Sequence, residues 1–469
     1  MCGDTVRGVG CFLFQKFRKI FMFLFLTLLL LADGSSSLAD EEAELTLYAA
    51  SAVLLDGESG RVLYGKAENE PMPNASTTKV LTCILVLENC ELDETVTISA
   101  HAASMPKVKL GVLKGESYGV KQLLYSLMLE SHNDSAVALA EHVGKRSIAA
   151  LAQKEEKDFT KEESRQAVKA FADLMNQKAR EIGCVDTHFI TPNGLDAEEI
   201  VCLEDGSNGV LTHHVTAIDL ANILAYAILR SPKKEDFLEI TREPDHSFIA
   251  NKRAFCFINH NGFLSMMQGA ISGKTGFTGK AGYCYVGALE SEGRVFVVAL
   301  LACGWPNNRT YKWKDTKTLM NYGLDNFRRL NLRGEETLVP EKALPAIRVL
   351  GGRGTEIGQS VSAKLRIQGR MEPLKEQTES GVLLREGEEL RTEILLPEEL
   401  TAPVREGQIV GEIRYIVGEE MLQTEYVIAA ESVEKIDFAW CLKQVTNLYI
   451  GLGRRESWLK NWLQEKTSR

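Results

Sequence analysis

A serine and a lysine three residues apart, in Ser76-Thr77-Thr78-Lys79, stand at the head of an almost uniformly apolar run, Val80-Leu81-Thr82-Cys83-Ile84-Leu85-Val86-Leu87. Such a run is buried in a folded chain, and it carries a hydroxyl and an amine to the edge of the core with it. As a helix, it sets Ser76 and Lys79 on one face, about 5–6 Å apart at Cβ. A serine becomes a nucleophile when a base takes its proton, and a lysine becomes that base when burial or a second cation lowers its pKa. The free N–H groups of a helix start suit an oxyanion forming at Ser76. Alone, the tetrapeptide is weak evidence, since Ser-x-x-Lys is more often a capping serine beside a solvated lysine.

Two further clusters narrow the choice. Ser131-His132-Asn133-Asp134 interrupts two helix-like segments, Leu123 to Glu130 and Ala136 to Ala140, and Lys274-Thr275-Gly276 begins a predicted strand. In this chain order the three clusters resemble the motifs of penicillin-binding proteins and serine β-lactamases. The resemblance is closer to the low-molecular-mass D-alanyl-D-alanine carboxypeptidases. It rests on Phe171 to Ala179, on Thr187-His188-Phe189-Ile190-Thr191-Pro192-Asn193-Gly194-Leu195-Asp196, and on Lys274 to Thr278 with Ala281-Gly282-Tyr283. It covers the chain from about Ala43 into the tail. It implies an α+β fold of the β-lactamase/DD-peptidase type, an antiparallel sheet flanked by helices, followed by a small all-β domain and a C-terminal amphipathic helix.

Arg7, Lys16, Arg18 and Lys19 precede an apolar run from Ile20 to Ala32 and then Ser37-Leu38-Ala39. This is the pattern of a secretory signal peptide over 1–39, cut after Ala39; an uncleaved anchor is the other reading, for which the run is short. Ala52-Val53-Leu54-Leu55 and Arg61-Val62-Leu63-Tyr64 around Asp56-Gly57-Glu58-Ser59-Gly60 read as a hairpin. The charged stretch from Gly144 to Ala167 is predicted to be a solvated surface segment or insertion. Glu162 and Glu163 within it lack the surrounding motif of a class A β-lactamase deacylating glutamate. Tyr283 to Leu289 and Val295 to Leu301 are predicted antiparallel neighbours in the central sheet, with helices over Asp219 to Leu229 and Lys317 to Phe327 covering it.

The catalytic domain spans 40–335, and short β-type runs between Gly, Pro and Glu-rich turns predict an all-β domain over 337–431. In the tail, 435–469, Phe438, Cys441, Leu442, Val445, Leu448, Tyr449 and Leu452 recur at three- and four-residue steps, followed by Trp458, Leu459, Trp462 and Leu463. From Asp437 onward there are six basic and three acidic residues, although the whole chain carries a formal charge of −10. An aromatic and basic amphipathic helix suits an anionic membrane interface; docking on its own domain is the other reading.

The overall negative charge excludes nucleic acid as the main partner. Of ten cysteines, Cys2 and Cys11 leave with the signal peptide, and the others are read mainly as small buried hydrophobes, as around Cys83, Cys256, Cys284 and Cys303. No Cys/His spacing fits zinc, none of the eight histidines forms His-Glu-x-x-His, and His213-His214 is the one local pair. No metal and no cofactor are expected.

The resemblance implies removal of the terminal D-alanine from peptidoglycan stem peptides, by an exported enzyme held at the extracytoplasmic face of the cell membrane and acylated by β-lactams. It assigns the nucleophile to Ser76, the general base to Lys79 and a proton relay to Ser131. Asn133, Lys274, Thr275 and Gly276 would bind substrate, and the backbone N–H groups of Ser76 and Phe277 would form the oxyanion hole. His132 departs from the family, which usually has a smaller residue there; its ring either points away from the cleft or alters substrate access and deacylation. The alternatives are a DD-endopeptidase, a β-lactamase, and a non-enzymatic β-lactam sensor.

Overall fold

Strand β1, Ser51–Asp56, is buried along its whole length, which requires cover on both faces of the sheet it joins. The computed structural model describes residues 45–202, 207–331, 339–368 and 381–450. The chain divides into Met1–Leu47 and Tyr48–Arg469. Of the first unit, residues 45–47 are described and carry no helix or strand; every element below belongs to the second. The predicted signal peptide and the Trp458 to Leu463 part of the tail lie outside the described residues.

Around β1 runs a five-stranded sheet with β2 (Val62–Lys66), β3 (Ala270–Thr278), β4 (Gly282–Ser291) and β5 (Arg294–Leu301), in the order β2-β1-β5-β4-β3. Each pairing is antiparallel. The hairpin predicted around Asp56–Gly60 is present, and the two runs predicted to be antiparallel neighbours pair as β4 and β5, joined by a turn at Ser291–Gly293. Lys274-Thr275-Gly276 lies inside the edge strand β3 rather than at its start, with Lys274 opposite Val286 and Gly276 opposite Cys284.

The longer helices of the catalytic region are α1 (Lys79–Asn89), α2 (Val120–Leu129), α3 (Asn133–Gly144), α4 (Lys161–Ile182), α5 (Ala217–Ala225), α6 (Lys234–Arg242) and α7 (Tyr311–Asn326). The helix predicted over Asp219 to Leu229 is α5 followed by a π-helical turn, Tyr226–Arg230. Helix α4 has explicit ends: Thr160 and Glu163 form a capping box, and Gly183 closes it at φ 102°. Part of the charged stretch before it is not solvated. Glu156 is 2% exposed and is bonded to Thr97 and His142, so its charge is neutralised locally rather than by water. Cys256, expected to be buried, is exposed on a hairpin whose residues alternate inward and outward.

After α7 the chain forms β6 (Phe327–Asn331), which pairs with β7 (Gly381–Arg385); Phe327 opens this strand instead of ending a helix. Strands β8 (Leu390–Leu395), β9 (Ile409–Val417) and β10 (Glu420–Ala429) join Leu365–Ile367 in a four-stranded sheet. This β region is fastened to the β1–β2 hairpin. Arg61 donates to both carboxylate oxygens of Glu388 at 2.7 and 2.6 Å, to Glu420 at 3.0 Å and to the Leu383 carbonyl at 2.9 Å. Asp56 accepts the Leu383 N–H at 2.9 Å, and Glu58 accepts the Gly381 N–H at 3.0 Å.

Replacing Arg61 by alanine strips the Leu383 carbonyl and Glu388 of their shared donor. The expected loss is about 1–3 kcal/mol, because Glu388 is near the surface and rehydrates. Urea denaturation followed at the C-terminal β region should show an earlier midpoint. Arg61→Lys should recover only part of it, since an ammonium lacks the two-pronged geometry.

Candidate active site

Helix α1 is buried from Lys79 to Leu87. Val80, Leu81, Ile84, Leu85, Val86 and Leu87 each contribute roughly 1.5–3 kcal/mol on burial. Together they exceed the several kcal/mol that taking an amine out of water costs, so the helix can carry Lys79 into the core. Ser76 precedes it in a 3₁₀ turn, Ala75–Thr78, rather than in the α-helix expected from sequence. Residues i and i+3 eclipse in a 3₁₀ turn; Lys79 Nζ accordingly lies 2.8 Å from Ser76 Oγ.

The turn is held from several sides. Ala75 has φ 49°, a left-handed conformation that costs a residue with a Cβ. Gly194, at φ 78°, packs so closely that a Cβ there would lie 1.8 Å from the Ala75 carbonyl. Thr77 Oγ1 donates to the Asn74 carbonyl at 2.7 Å. His213 is buried, and its Nδ1 accepts the backbone N–H of Ile190 at 3.0 Å, which leaves Nε2–H to donate to Thr78 Oγ1 at 3.0 Å. Burial pushes its pKa down to about 3, so the ring is neutral. Of the local pair, His213 is thus a brace for the Ser76 turn, while His214 Nδ1 bonds the Thr212 carbonyl at 2.7 Å.

Ser131 joins α2 to α3 at φ 64°, with Asn133 opening α3. Lys79 Nζ lies 2.9 Å from Asn133 Oδ1, 3.0 Å from the Asn193 carbonyl and 3.4 Å from Ser131 Oγ. Lys274 Nζ donates to Ser131 Oγ at 3.0 Å and to the Thr275 carbonyl at 2.9 Å. Burial, with Lys274 as the second cause, pulls the pKa of Lys79 well below the usual lysine range. Burial pulls Lys274 down to about 7. Gly276 brings β3 against the turn, where a Cβ would meet Ser76 N at 3.0 Å and the Asn74 carbonyl at 2.9 Å.

Five of the residues expected from sequence, Ser76, Lys79, Ser131, Asn133 and Lys274, therefore form one hydrogen-bonded cluster. Thr275, Gly276 and Phe277 line the same cleft of about 560 Å³. Glu162 and Glu163 do not line it; Glu163 caps α4 and pairs with Lys154. Sequence reading missed Asn193, whose contribution is a backbone carbonyl that carries no side-chain signature. It also missed Arg309 and Lys312, which line the cleft beyond β5 and belong to no motif.

The sequence model of the D-alanyl-D-alanine carboxypeptidase family matches residues 38–150 and 164–303, more than half of the chain. This chain belongs to that family. A second model, that of the penicillin-binding protein 5 C-terminal domain, matches residues 382–435. The D-alanyl-D-alanine carboxypeptidase DacF of Bacillus subtilis is 26% identical over 440 residues, covering 91% of this chain and 97% of that protein. DacB2 of Mycobacterium tuberculosis is 31% identical over 271 residues, covering 58% and 80% respectively. The fold is that of penicillin-binding protein 5 from Haemophilus influenzae, with a TM-score of 0.59 at 23% identity over 83% of this chain and 99% of that one. The family match passes over residues 151–163, the segment that carries Glu156.

His132, in the middle of the Ser131-His132-Asn133 cluster, turns its ring from the cleft. Nδ1 lies 2.8 Å from Ser126 Oγ, which is also bonded to Ser135 at 2.7 Å. The ring meets Phe257 edge to face at 5.8 Å. Burial holds it below the usual histidine range, so it pins the Ser131 backbone as a neutral group. His132→Ala should slow acylation by a fluorescent penicillin about ten- to a hundredfold through loosened Ser131 geometry, with an unchanged pH profile. A shifted profile would instead place the ring in the chemistry.

Proposed function

We infer that this chain is a serine-type D-Ala-D-Ala carboxypeptidase that removes the terminal D-alanine from peptidoglycan stem peptides through an acyl-enzyme, which β-lactams also form. The observation that carries the roles is the surroundings of Lys79. A neutral amine has two N–H donors and one lone pair. Asn133 Oδ1 and the Asn193 carbonyl take the two donors, so the lone pair faces the Ser76 hydroxyl at 2.8 Å. Lys79 is a base already aimed at its proton.

Ser76 attacks the penultimate carbonyl as Lys79 takes the hydroxyl proton. The backbone N–H groups of Ser76 and Phe277 are assigned to the oxyanion. Lys274 donates to Ser131 Oγ, which leaves the Ser131 hydroxyl proton free for the leaving D-alanine nitrogen; Lys79, protonated by then and 3.4 Å away, restores it. Asn133 also contacts the substrate amide, and Lys274 and Thr275 hold the terminal carboxylate. Water then attacks the ester, Lys79 takes its proton, and that proton returns to Ser76 as the acid leaves.

The protein is proposed to act outside the cytoplasmic membrane, after export directed by residues 1–39. Support for a surface anchor comes from residues 438–450, which are helical and expose Phe438, Leu442, Val445, Leu448 and Tyr449 by more than half. Among the described residues no helix is long and apolar enough to cross a membrane.

D-alanine release from a Lys-D-Ala-D-Ala peptide tests the reaction. Release should vanish in Ser76→Ala; a folded wild-type protein that releases none would refute it. The pH profile tests the lysines. Lys79 must be neutral, so kcat/KM rises as pH climbs through its lowered pKa. Lys274 must be charged, so kcat/KM falls as pH passes about 7. Lys274→Arg should abolish that alkaline fall, because a guanidinium keeps its proton.

A further inference from the structure

Away from the cleft, three elements converge on a different set of side chains. Cys90 follows the C-terminus of α1, Glu94 precedes the strand Thr95–Thr97, and His142 lies in the last turn of α3. A sulfur, a carboxylate oxygen and a ring nitrogen from these residues all lie within 4.8 Å of one another. Spacing templates overlooked them because His142 comes from far along the chain. We propose that Cys90, Glu94 and His142 form a binding site for a divalent metal ion of the zinc class, which ties together the C-terminal ends of α1 and α3.

The histidine is oriented for ligation. His142 Nδ1 lies 2.7 Å from Glu156 Oε1. Glu156 also pairs with Lys145 at 2.6 Å and accepts from Thr97 Oγ1 at 2.5 Å. A carboxylate so paired accepts, so Nδ1 donates to it, and Nε2 is the nitrogen left to offer a metal its lone pair. Such a carboxylate behind a histidine fixes the tautomer that binds metal through the other nitrogen. Nε2 in turn lies 3.0 Å from Glu94 Oε2, and two such acceptor atoms come together only around a cation or a shared proton.

Arg146 supplies that cation here. Its guanidinium contacts Glu94 and sits 3.1 Å from His142 Nε2, and its side chain is 38% exposed, so it can swing out. The exchange balances: the metal brings two positive charges, the Cys90 thiol releases one proton, and Arg146 leaves with one charge. Thiolate, imidazole and carboxylate together suit zinc-class ions, with a fourth position for water. Glu156 belongs to the segment 151–163 over which the family match is broken. The site lies about 16 Å along α1 from Lys79 and acts as a brace, raising stability and not the rate of catalysis.

The test uses the mature protein with the accessible Cys202, Cys256 and Cys441 replaced by serine, titrated with Co²⁺ and then Zn²⁺. The expected result is one Co²⁺ bound with a thiolate charge-transfer band, displaced by Zn²⁺, and a raised thermal midpoint. The band should disappear in Cys90→Ser. Glu156→Gln should weaken binding about ten- to a hundredfold, and Arg146→Ala should tighten it. If Cys90→Ser does not fold, Glu94→Gln at the surface should weaken binding instead. No band, or a band that survives Cys90→Ser, overturns the proposal, as does affinity unchanged by both Glu94→Gln and Arg146→Ala.

Discussion

The site depends on keeping one amine out of water. Lys79 is wholly buried, and an ammonium there would bear a desolvation cost of several kcal/mol. Loss of its proton relieves that cost, and the neutral amine finds Asn133 Oδ1 and the Asn193 carbonyl within 3.0 Å. Every nearby oddity serves this arrangement. The 3₁₀ turn aligns Ser76 with the amine, Ala75 adopts a left-handed backbone, and Gly194 is small enough for the Asn193 loop to close over it. Thr82 anchors that loop by donating to the Pro192 carbonyl at 2.7 Å. The strain at Ala75 and Ser131 costs on the order of 1–3 kcal/mol each, which the buried apolar face of α1 offsets.

The sheet separates two tasks by its two edges. With the order β2-β1-β5-β4-β3, the β1–β2 end holds the C-terminal β region through Arg61, Asp56 and Glu58, while β3 faces the nucleophile. Adjacent strands are about 4.8 Å apart, so the edges stand roughly 19 Å from each other. Among the described residues β3 pairs with β4 alone, and its other side, at Lys274, Thr275 and Gly276, is where the proposed function lays an extended peptide.

What the sequence made legible was local. Ser76 and Lys79 could be paired because a three-residue offset has the same meaning in any tight helix, and Ser131-His132-Asn133 could be placed at a helix junction because the flanking periodicities end there. The β1–β2 hairpin announced itself by turn chemistry. What was hidden depends on partners far along the chain. Asn193 acts through a carbonyl, His213 through a tautomer fixed by backbone N–H groups, and Glu156 is buried because His142 and Lys145 meet it. In each case the residue type alone pointed to solvent or to nothing, and only the fold supplies the partner.

The two lysines share Ser131 Oγ, at 3.4 and 3.0 Å, and so lie within about 6.5 Å of each other. At an effective dielectric of about 20, two positive charges at roughly that distance repel by about 2.5 kcal/mol, close to two pKa units. Both amines therefore resist being charged together. In the proposed mechanism a substrate carboxylate beside Lys274 favours its charged form, and a charged Lys274 opposes protonation of Lys79. On that reading the neutral Lys79 that Ser76 requires is coupled to the charge on Lys274, and a ligand without a carboxylate would leave Lys274 freer to lose its proton and Lys79 less strongly driven toward the neutral form.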